Sequence, residues 1–333
     1  MTFENNSENK PSIAVVVPCY KERHKILDTL AGVPDVIDKI FCVDDNCPEN
    51  TGDYIEQNCS DNRVQVLRNP RNKGVGGAMV TGYKEVLKFG AGIVVKIDGD
   101  GQMDPSLISQ FIAPLLEGRA DYVKGNRFYL LNNLQQMPLA RLVGNALLSF
   151  LNKFSTGYWR IFDPTNGFTA IDTRVLAMLP LDKLDEGYFF ESDMLFRLAT
   201  VRAVVMDIPQ KAIYSDEVSH LNVFRAIPTH ALKHLANFSK RIFYTYFLRD
   251  FHLASLEWLA GPLLFLFGLY FGVSSWYEAI TSGQEASAGT VMLSALPFIV
   301  GLQLTLSAIG FDVDNQPRIP LSSLLNKVTG HHK

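Results

Sequence analysis

The first half of the chain alternates short apolar runs with stretches of helical periodicity. The apolar runs are Ile13–Val17, Ile40–Val43, Val64–Leu67 and Ile93–Ile97. Such runs are typical of strands that are buried on both faces of a sheet. Between them, residues 75–87 carry an apolar helical face, and Asp104-Pro105 supplies a helix cap followed by a proline. This alternation predicts an α/β domain with a mostly parallel sheet and helices on both sides.

Two uncharged segments lie near the end of the chain. Trp258–Tyr277 and Ala286–Phe311 span 20 and 26 residues without a charged side chain. Each is long enough to cross a bilayer, and buried core helices of this length usually carry some charge. Lys and Arg precede the first segment and follow the second, while the connector has none. The positive-inside rule therefore predicts that the large domain faces the cytoplasm, and we expect a bacterial inner membrane.

These patterns predict five regions, before any chemistry is considered. They are a flexible start (1–11), an α/β domain (12–228), an amphipathic interfacial segment (229–257), two transmembrane helices (258–311) and a cytoplasmic tail (312–333).

The net charge is −3 over 333 residues, so no overall basic field suggests nucleic acid as a partner. The four cysteines form no C-x-x-C pair, which indicates reduced structural thiols.

Polar side chains follow each predicted strand at the point where it ends. Those after the four runs are Pro18, Tyr20 and Glu22; Asp44 and Asp45; Asn69 to Lys73; and Asp98, Asp100 and Gln102. Ligands of mostly parallel sheets bind at the carboxyl ends of the strands. The sequence therefore predicts a site at this edge for a polar and multiply charged ligand.

The sharpest local signal is the segment Asp98-Gly99-Asp100-Gly101-Gln102. Two carboxylates at this spacing in a glycine-rich turn can reach one hard cation, and Gln102 adds an amide oxygen. We therefore expect Mg²⁺ or Mn²⁺ here, with substrate phosphates completing its coordination.

The glycine run at residues 74–77 lacks the spacing of a dinucleotide or P-loop fingerprint. It is interpreted as a helix start that needs close packing.

Several ordered motifs together resemble glycosyltransferase family 2, whose domain has the GT-A fold. They are Val17 to Glu22, Val43-Asp44-Asp45, Asn72-Lys73-Gly74, Asp98 to Gln102, Gly125 to Phe128 and Asp163 to Phe168. With the two apolar spans, the chain resembles the polyprenyl-phosphate glycosyltransferases, such as dolichyl-phosphate mannose synthases and undecaprenyl-phosphate glucosyltransferases. The resemblance covers roughly residues 12 to 225.

The resemblance implies a role for each matching residue. In the nucleotide-sugar site, the base and ribose would contact Pro18, Tyr20, Glu22 and Asp45, with Asp44 supporting the loop and Lys73 and Asp98 adding further contacts. The metal would be bound by Asp98, Asp100 and Gln102. The acceptor phosphate would be bound by Arg127, Arg141 and Asn145. The catalytic set is then Asp98, Asp100 and Arg127. Asp163, Thr165, Asn166, Glu191 and Asp193 are candidate sugar contacts, with the choice between Glu191 and Asp193 left open.

The segment around Arg141 independently fits a lipid role. Residues 139–154 present a broad apolar helical face that is flanked by Arg141 and Lys153. A helix of this kind lies in the membrane interface, although packing against the membrane helices would explain the same pattern. Arginines there could bind the phosphate of a polyprenyl lipid.

The expected reaction is inverting transfer of one hexose from a nucleotide-diphosphate sugar, such as UDP-glucose, to a polyprenyl phosphate. One alternative is a processive polysaccharide synthase, although the Q-x-x-R-W motif typical of those enzymes is absent. Another is a catalytically inactive membrane scaffold. The residues at the expected base-binding positions do not distinguish a UDP-sugar from a GDP-sugar as the donor. Copies of the chain could associate through the apolar spans, although no motif marks such an interface.

Overall fold

A seven-stranded sheet forms the centre of the first part of the chain. The computed structural model describes residues 11–129, 139–210 and 223–328. The strands are β1 (Ile13–Cys19), β2 (Lys39–Asp44), β3 (Val64–Arg68), β4 (Ile93–Lys96), β5 (Tyr122–Asn126), β6 (Thr169–Asp172) and β7 (Val205–Pro209). They lie in the order β3-β2-β1-β4-β6-β5-β7, and only β6 runs antiparallel to its neighbours. The predicted α/β domain with a mostly parallel sheet is confirmed.

The helices of the described residues follow in chain order. They are α1 (Ile26–Ala31), α2 (Thr51–Asn58), α3 (Gly74–Phe89), α4 (Ile108–Leu116), α5 (Leu139–Thr156), α6 (Thr173–Ala177), α7 (Phe190–Val201), α8 (Val223–Phe243), α9 (Leu253–Ser282), α10 (Ala288–Asp314) and α11 (Leu321–Val328). Short 3₁₀ turns cover Pro105–Leu107 and Leu181–Lys183, and a π-helical stretch covers Tyr244–Arg249. Asp104 caps the first of these turns by accepting a hydrogen bond from Ser106 N, as its position before Pro105 predicts.

The continuous apolar run of β1 reflects burial on both faces. Ala14 and Val16 point into one hydrophobic core, while Val15 and Val17 point into another on the opposite side of the sheet. All seven residues of β1 are buried. Side chains alternate across a strand, so only a strand covered by helices on both sides can be apolar at every position.

The reversed direction of β6 decides which loops meet the carboxyl ends of the other strands. Thr169, at the start of β6, pairs with Lys96 at the end of β4. The loop of residues 163–168, which precedes β6, therefore lies at the same edge as Asp98 and Asp100. The apolar runs identified in the sequence do not include β6, so they do not predict this reversal.

The chain divides by its internal contacts into two units. One contains the residues up to Asn237 together with Pro317 onward, and the other contains Phe238–Gln316. The final segment joins the first unit through the buried carboxylate of Asp121. This carboxylate accepts hydrogen bonds from the main-chain N–H groups of Leu321 (2.8 Å) and Ser322 (2.8 Å), at the start of α11.

The second unit contains two helices that are long and apolar enough to cross a membrane. They are α9 and α10, and 11% of the apolar window in each is buried. Such low burial differs from that of a core helix. Near the ends of this hairpin, Arg241 forms two hydrogen bonds with Asp312 (2.6 and 3.0 Å), and the Tyr246 hydroxyl donates to the same carboxylate.

Glycines let α9 and α10 approach closely. A Cβ on Gly301 would collide with the main-chain nitrogen of Phe265 and would lie 2.8 Å from the carbonyl oxygen of Gly261. Gly310, in the same helix, has no atom within 4 Å of the corresponding position. Small residues at such crossings allow the backbone-to-backbone packing that stabilises helix pairs in lipid.

We predict that Gly301→Ala lowers the thermal midpoint of the detergent-solubilised protein, at a cost of about 1–3 kcal/mol from overpacking. Helix propensity alone favours alanine over glycine by about 1 kcal/mol. Gly310→Ala is the matched control, because it makes the same change where space is open. An equal response of the midpoint to the two substitutions would contradict the close crossing.

Candidate active site

Two buried aspartates at the end of β2 organise the loops around them. The Asp44 carboxylate accepts hydrogen bonds from Cys47 N and Gly52 N, both at 2.7 Å. Asp45 accepts one from Asn69 Nδ2 at 2.7 Å. Asp45 also accepts from the main-chain N–H groups of Lys73 (2.9 Å) and Gly74 (2.7 Å), which begin α3. Both carboxylates therefore hold the backbone of the loops that would surround a nucleotide.

The glycine run at the start of α3 packs against residues 185–187. Gly76 N and Gly77 N both donate to the carbonyl oxygen of Glu186, at 2.9 and 3.1 Å. A Cβ on Gly76 would collide with the carbonyl oxygen of Asp185. The interpretation of this run as a closely packed helix start is confirmed.

The last residues of β1 and those just after it lie beside the Asp98–Gln102 turn. Pro18 is buried, Glu22 is half-buried, and Tyr20 has 41% of its surface exposed. A Cβ on Gly99 would collide with Glu22 Oε2, so the end of β1 contacts this turn directly. The side chain of Lys73 is half-buried. An exposed aromatic ring next to these groups is suited to stacking on a flat base.

The Asp98–Gln102 turn begins directly after β4. Gln102 N donates to Asp100 Oδ1 at 2.9 Å, which closes the turn. Asp98 Oδ1 accepts a hydrogen bond from Lys96 Nζ at 2.7 Å. Lys96 is 1% exposed and also lies 3.4 Å from Glu191 Oε1. Burial alone would lower the pKa of Lys96, but Asp98 and Glu191 raise it above the ordinary value, so the ammonium stays charged.

The donor set of this turn fits a hard divalent cation. Two carboxylates and an amide oxygen are the ligand types that Mg²⁺ and Mn²⁺ prefer. Among residues 11–129, 139–210 and 223–328, no three His, Cys, Asp or Glu side chains form a metal-binding group. A cation held by Asp98, Asp100 and Gln102 would therefore take further oxygens from its substrate.

Arg127 follows β5 and is held by Asp163 in a bidentate ion pair. Arg127 Nε and Nη2 donate to the two carboxylate oxygens at 2.8 and 2.9 Å, and Arg127 N adds a third bond at 3.1 Å. Burial would raise the pKa of Asp163, but the Arg127 guanidinium overrides this effect and lowers it. The Arg127 side chain is 32% exposed, so solvent reaches part of it.

The other predicted sugar contacts differ in their exposure. Thr165 is exposed, whereas Asn166, Glu191 and Asp193 are buried, as is Asp163. Asp193 accepts hydrogen bonds from Asp185 N (3.1 Å) and Arg197 Nε (2.9 Å), which fixes the segment before α7. In this structure, the buried members of the set hold loops in position and only Thr165 is open to solvent.

The predicted acceptor-phosphate residues Arg141 and Asn145 lie on α5, and the side chain of Arg141 lies outside the described residues. Asn145 is half-exposed. Among the side chains of this helix that the structure describes, the large exposed apolar ones are Val143, Leu147, Phe150 and Leu151. They belong to the apolar face that the periodicity predicts.

Three further charged residues lie beneath the site, and the sequence does not mark them as site residues. They are Lys96, Lys124 and Asp207. Lys124, in β5, is fully buried and donates to the carbonyl oxygen of Asn166 at 2.6 Å. Burial lowers the pKa of Lys124 to about 8 and raises that of Asp207 to about 6. The sequence does hold a signal for Lys96, because it is the one charged residue of the otherwise apolar strand β4.

Comparison with known proteins identifies relatives of this chain. Residues 14–179 match the model of glycosyl transferase family 2. The chain is 29% identical over 218 residues to a UDP-N-acetylglucosamine–dolichyl-phosphate N-acetylglucosaminyltransferase of Methanococcus voltae, covering 61% of this chain and 86% of the relative. It is 27% identical over 201 residues to an undecaprenyl-phosphate mannosyltransferase of Micrococcus luteus, covering 59% and 82%.

Solved structures show the same fold. Mannosyl-3-phosphoglycerate synthase from Rubrobacter xylanophilus aligns with a TM-score of 0.55 at 17% identity, covering 73% of this chain and 78% of that one. Glucosyl-3-phosphoglycerate synthase from Mycobacterium tuberculosis, in complex with Mn²⁺, UDP and glucosyl-3-phosphoglycerate, gives 0.51 at 17% identity, covering 69% and 80%. The sheet therefore has the GT-A fold. The chain contains a family 2 glycosyltransferase domain, as its motifs indicate.

We predict that Asp163→Asn lowers the free energy of unfolding by about 2 kcal/mol at neutral pH, because it removes a charged hydrogen-bond partner of Arg127. The folded-state pKa of Asp163 is lowered, so its stabilisation is present above the ordinary aspartate pKa of about 4 and is lost as the pH falls through the folded value. Thermal midpoints from pH 7.5 down to about pH 2, well below the ordinary aspartate pKa, would measure the difference.

Asp182→Asn is the matched control for this substitution. Asp182 also pairs with a cation, Lys84, but its side chain is 82% exposed, so the pair adds little to stability. Equal shifts of the midpoint in the two variants would show that the Arg127–Asp163 pair contributes no more to stability than the exposed Lys84–Asp182 pair.

Proposed function

We propose that the protein transfers one hexose from a nucleotide-diphosphate sugar to a polyprenyl phosphate at a membrane surface. One observation carries the proposal. The Asp98–Gln102 turn and the Arg127–Asp163 pair lie at the same edge of a GT-A sheet, in a chain that also has two apolar helices. An oxygen-rich turn suits the divalent cation of a nucleotide diphosphate, and a fixed guanidinium suits a second phosphate.

The transfer needs no strong base in this chain. One oxygen of the acceptor phosphate attacks the anomeric carbon and forms the new C–O bond, while the bond from that carbon to the diphosphate breaks and its electron pair leaves with the nucleotide. A phosphate monoester is ionised near pH 7, so its oxygen is already a nucleophile. Arg127 is oriented by Asp163 to bind that phosphate, and Tyr20 and Glu22 border the nucleotide.

A divalent cation would be held by Asp98, Asp100 and Gln102. When bound, it would supply positive charge to the leaving diphosphate. Attack from the face opposite the leaving group inverts the anomeric configuration. Membrane association of both the chain and its lipid acceptor raises the effective concentration of that acceptor.

The names of the relatives bear on the donor. They specify UDP-N-acetylglucosamine in one case and mannose in another. The expectation of UDP-glucose receives no support from these names, so UDP-glucose, UDP-N-acetylglucosamine and GDP-mannose are all donors to test. The large domain is proposed to face the cytoplasm, where nucleotide sugars are available.

Incubation of membranes containing the full chain tests the proposal. Labelled UDP- and GDP-sugars are supplied with undecaprenyl phosphate or dolichyl phosphate, and lipid products are identified by mass spectrometry. We expect one donor to give a lipid phosphate bearing a single sugar. A polymeric product would favour a processive synthase, and the absence of transfer from every donor would favour an inactive scaffold.

We predict that Asp100→Asn reduces this transfer by at least about 100-fold, the usual scale for losing a group that stabilises charge in the transition state. EDTA should also abolish wild-type activity, and added Mn²⁺ or Mg²⁺ should restore it. Asp104→Asn is the matched control, because Asp104 lies in the same segment but acts as a helix cap, a role that asparagine performs equally well. Full activity of the Asp100 variant would remove the metal from the proposal.

A further inference from the structure

A lysine ammonium is buried directly behind the Asp98–Gln102 turn. Lys96 is the last residue of β4 and is 1% exposed. Its Nζ lies 2.7 Å from Asp98 Oδ1, 3.2 Å from the carbonyl oxygen of Gly167 and 3.4 Å from Glu191 Oε1. A lysine has three N–H donors, so these three acceptors match its full capacity. The side chain is thereby fixed among three separate segments of the chain.

This contact determines how the Asp98 carboxylate is presented. Lys96 holds Oδ1, and Oδ2 of the same carboxylate lies beside Gly167. The space beside it exists because residue 167 is glycine. A Cβ there would lie 2.5 Å from Lys96 Nζ and 2.6 Å from Asp98 Oδ2. The ion pair and Gly167 therefore form one closely fitted unit.

The same lysine reaches the loop that orients Arg127. Gly167 belongs to the loop of residues 163–168, whose first residue is Asp163, the ion-pair partner of Arg127. Lys96 therefore contacts Asp98 directly and, through Gly167, fixes the far end of the loop that begins at Asp163. Charged and hydrogen-bonded partners behind a ligand-binding carboxylate commonly set its orientation.

A second buried lysine offers a comparison within the same fold. Lys124, in β5, is also fully buried and donates to the preceding carbonyl of the loop, that of Asn166. Asp98 is not among its hydrogen-bond partners. Lys124 thus shares the loop contact of Lys96 without the contact to the carboxylate, so the two roles can be separated by experiment.

We propose that Lys96 is a positioning residue of the donor site: it sets the orientation of the Asp98 carboxylate for a nucleoside diphosphate with its divalent cation, and it joins that carboxylate to the loop that holds Arg127. The proposal deepens the proposed function and rests on its donor half. It does not depend on the identity of the acceptor.

Nucleotide binding by the full-length protein in detergent tests the role of Lys96. Affinities for UDP and GDP are measured by calorimetry with and without MnCl₂, for the wild type and for Lys96→Met and Lys124→Met. We expect Lys96→Met to weaken Mn²⁺-dependent binding by about 10- to 100-fold, the usual cost of losing such a supporting contact. Lys124→Met should stay close to wild type, and the affinity without Mn²⁺ should change little in either variant.

The dependence on Mn²⁺ separates positioning from a general defect. A merely structural role of Lys96 would weaken binding equally with and without the ion, or equally in both lysine variants, and either result overturns the proposal. Gly167→Ala is a second variant, in case Lys96→Met does not fold. It keeps both charges but crowds Lys96 and Asp98, and we expect the same selective loss of Mn²⁺-dependent affinity; wild-type affinity would overturn the proposal.

Failure of this inference differs from failure of the proposed function. If the wild type binds a nucleotide and the variants behave as expected, but no sugar reaches a polyprenyl phosphate, the inference stands and the lipid acceptor is wrong. If lipid transfer occurs and Lys96→Met binds Mn²⁺ and nucleotide like the wild type, the inference alone is overturned. A wild-type protein that binds neither UDP nor GDP overturns both.

Discussion

The pairing of β4 with the reversed strand β6 is the constraint on which the site depends. In register, Lys96 at the end of β4 lies opposite Thr169 at the start of β6. A parallel β6 would place the preceding loop at the opposite edge of the sheet. Because β6 is antiparallel, residues 163–168 arrive beside Asp98, and the two halves of the proposed reaction share one edge.

Buried charge at this edge is tolerated because almost every carboxylate has donors arranged around it. Asp44 and Asp45 are satisfied mainly by main-chain N–H groups, and Asp163 by a guanidinium. Each such contact fixes a loop whose backbone would otherwise be free to move. Removing a charge from such a pair leaves its partner buried without compensation, which is costly. The loops of the site are therefore positioned before any ligand arrives.

Much of the fold follows from local sequence patterns. The four apolar runs correspond to β1 to β4, the helical face of residues 75–87 lies in α3, and the uncharged segments form most of α9 and α10. The residues at the ends of these strands could be identified for the same reason. The spacing of apolar positions and the local composition depend only on neighbouring residues. A strand that is buried on both faces is apolar at every position, so it can be recognised from the sequence.

The contacts that connect the site are not local, and this is why the sequence does not predict them. Lys96 and Glu191 are 95 residues apart, and Arg127 and Asp163 are 36 apart. Their pairing depends on the direction of β6 and on where α7 begins. The sequence therefore singles out Asp163 and Glu191 as candidate sugar contacts, with Asp193 as the alternative to Glu191, but it does not predict that each is buried beside a cation.

The charge balance at the edge gives a physical reason for a cation. Asp98 and Asp100 lie where a nucleoside diphosphate would bind, and Lys96 neutralises only part of this negative charge because it is shared with Glu191. A diphosphate brought against these carboxylates meets like charge in a partly desolvated place, where repulsion is stronger than in water. Arg127 is paired with Asp163 and is proposed to bind the acceptor phosphate, so it offsets little of the repulsion on the diphosphate. A divalent ion between carboxylates and diphosphate would turn this repulsion into attraction, so the acidic turn is better suited to binding a metal-nucleotide complex than a free nucleotide.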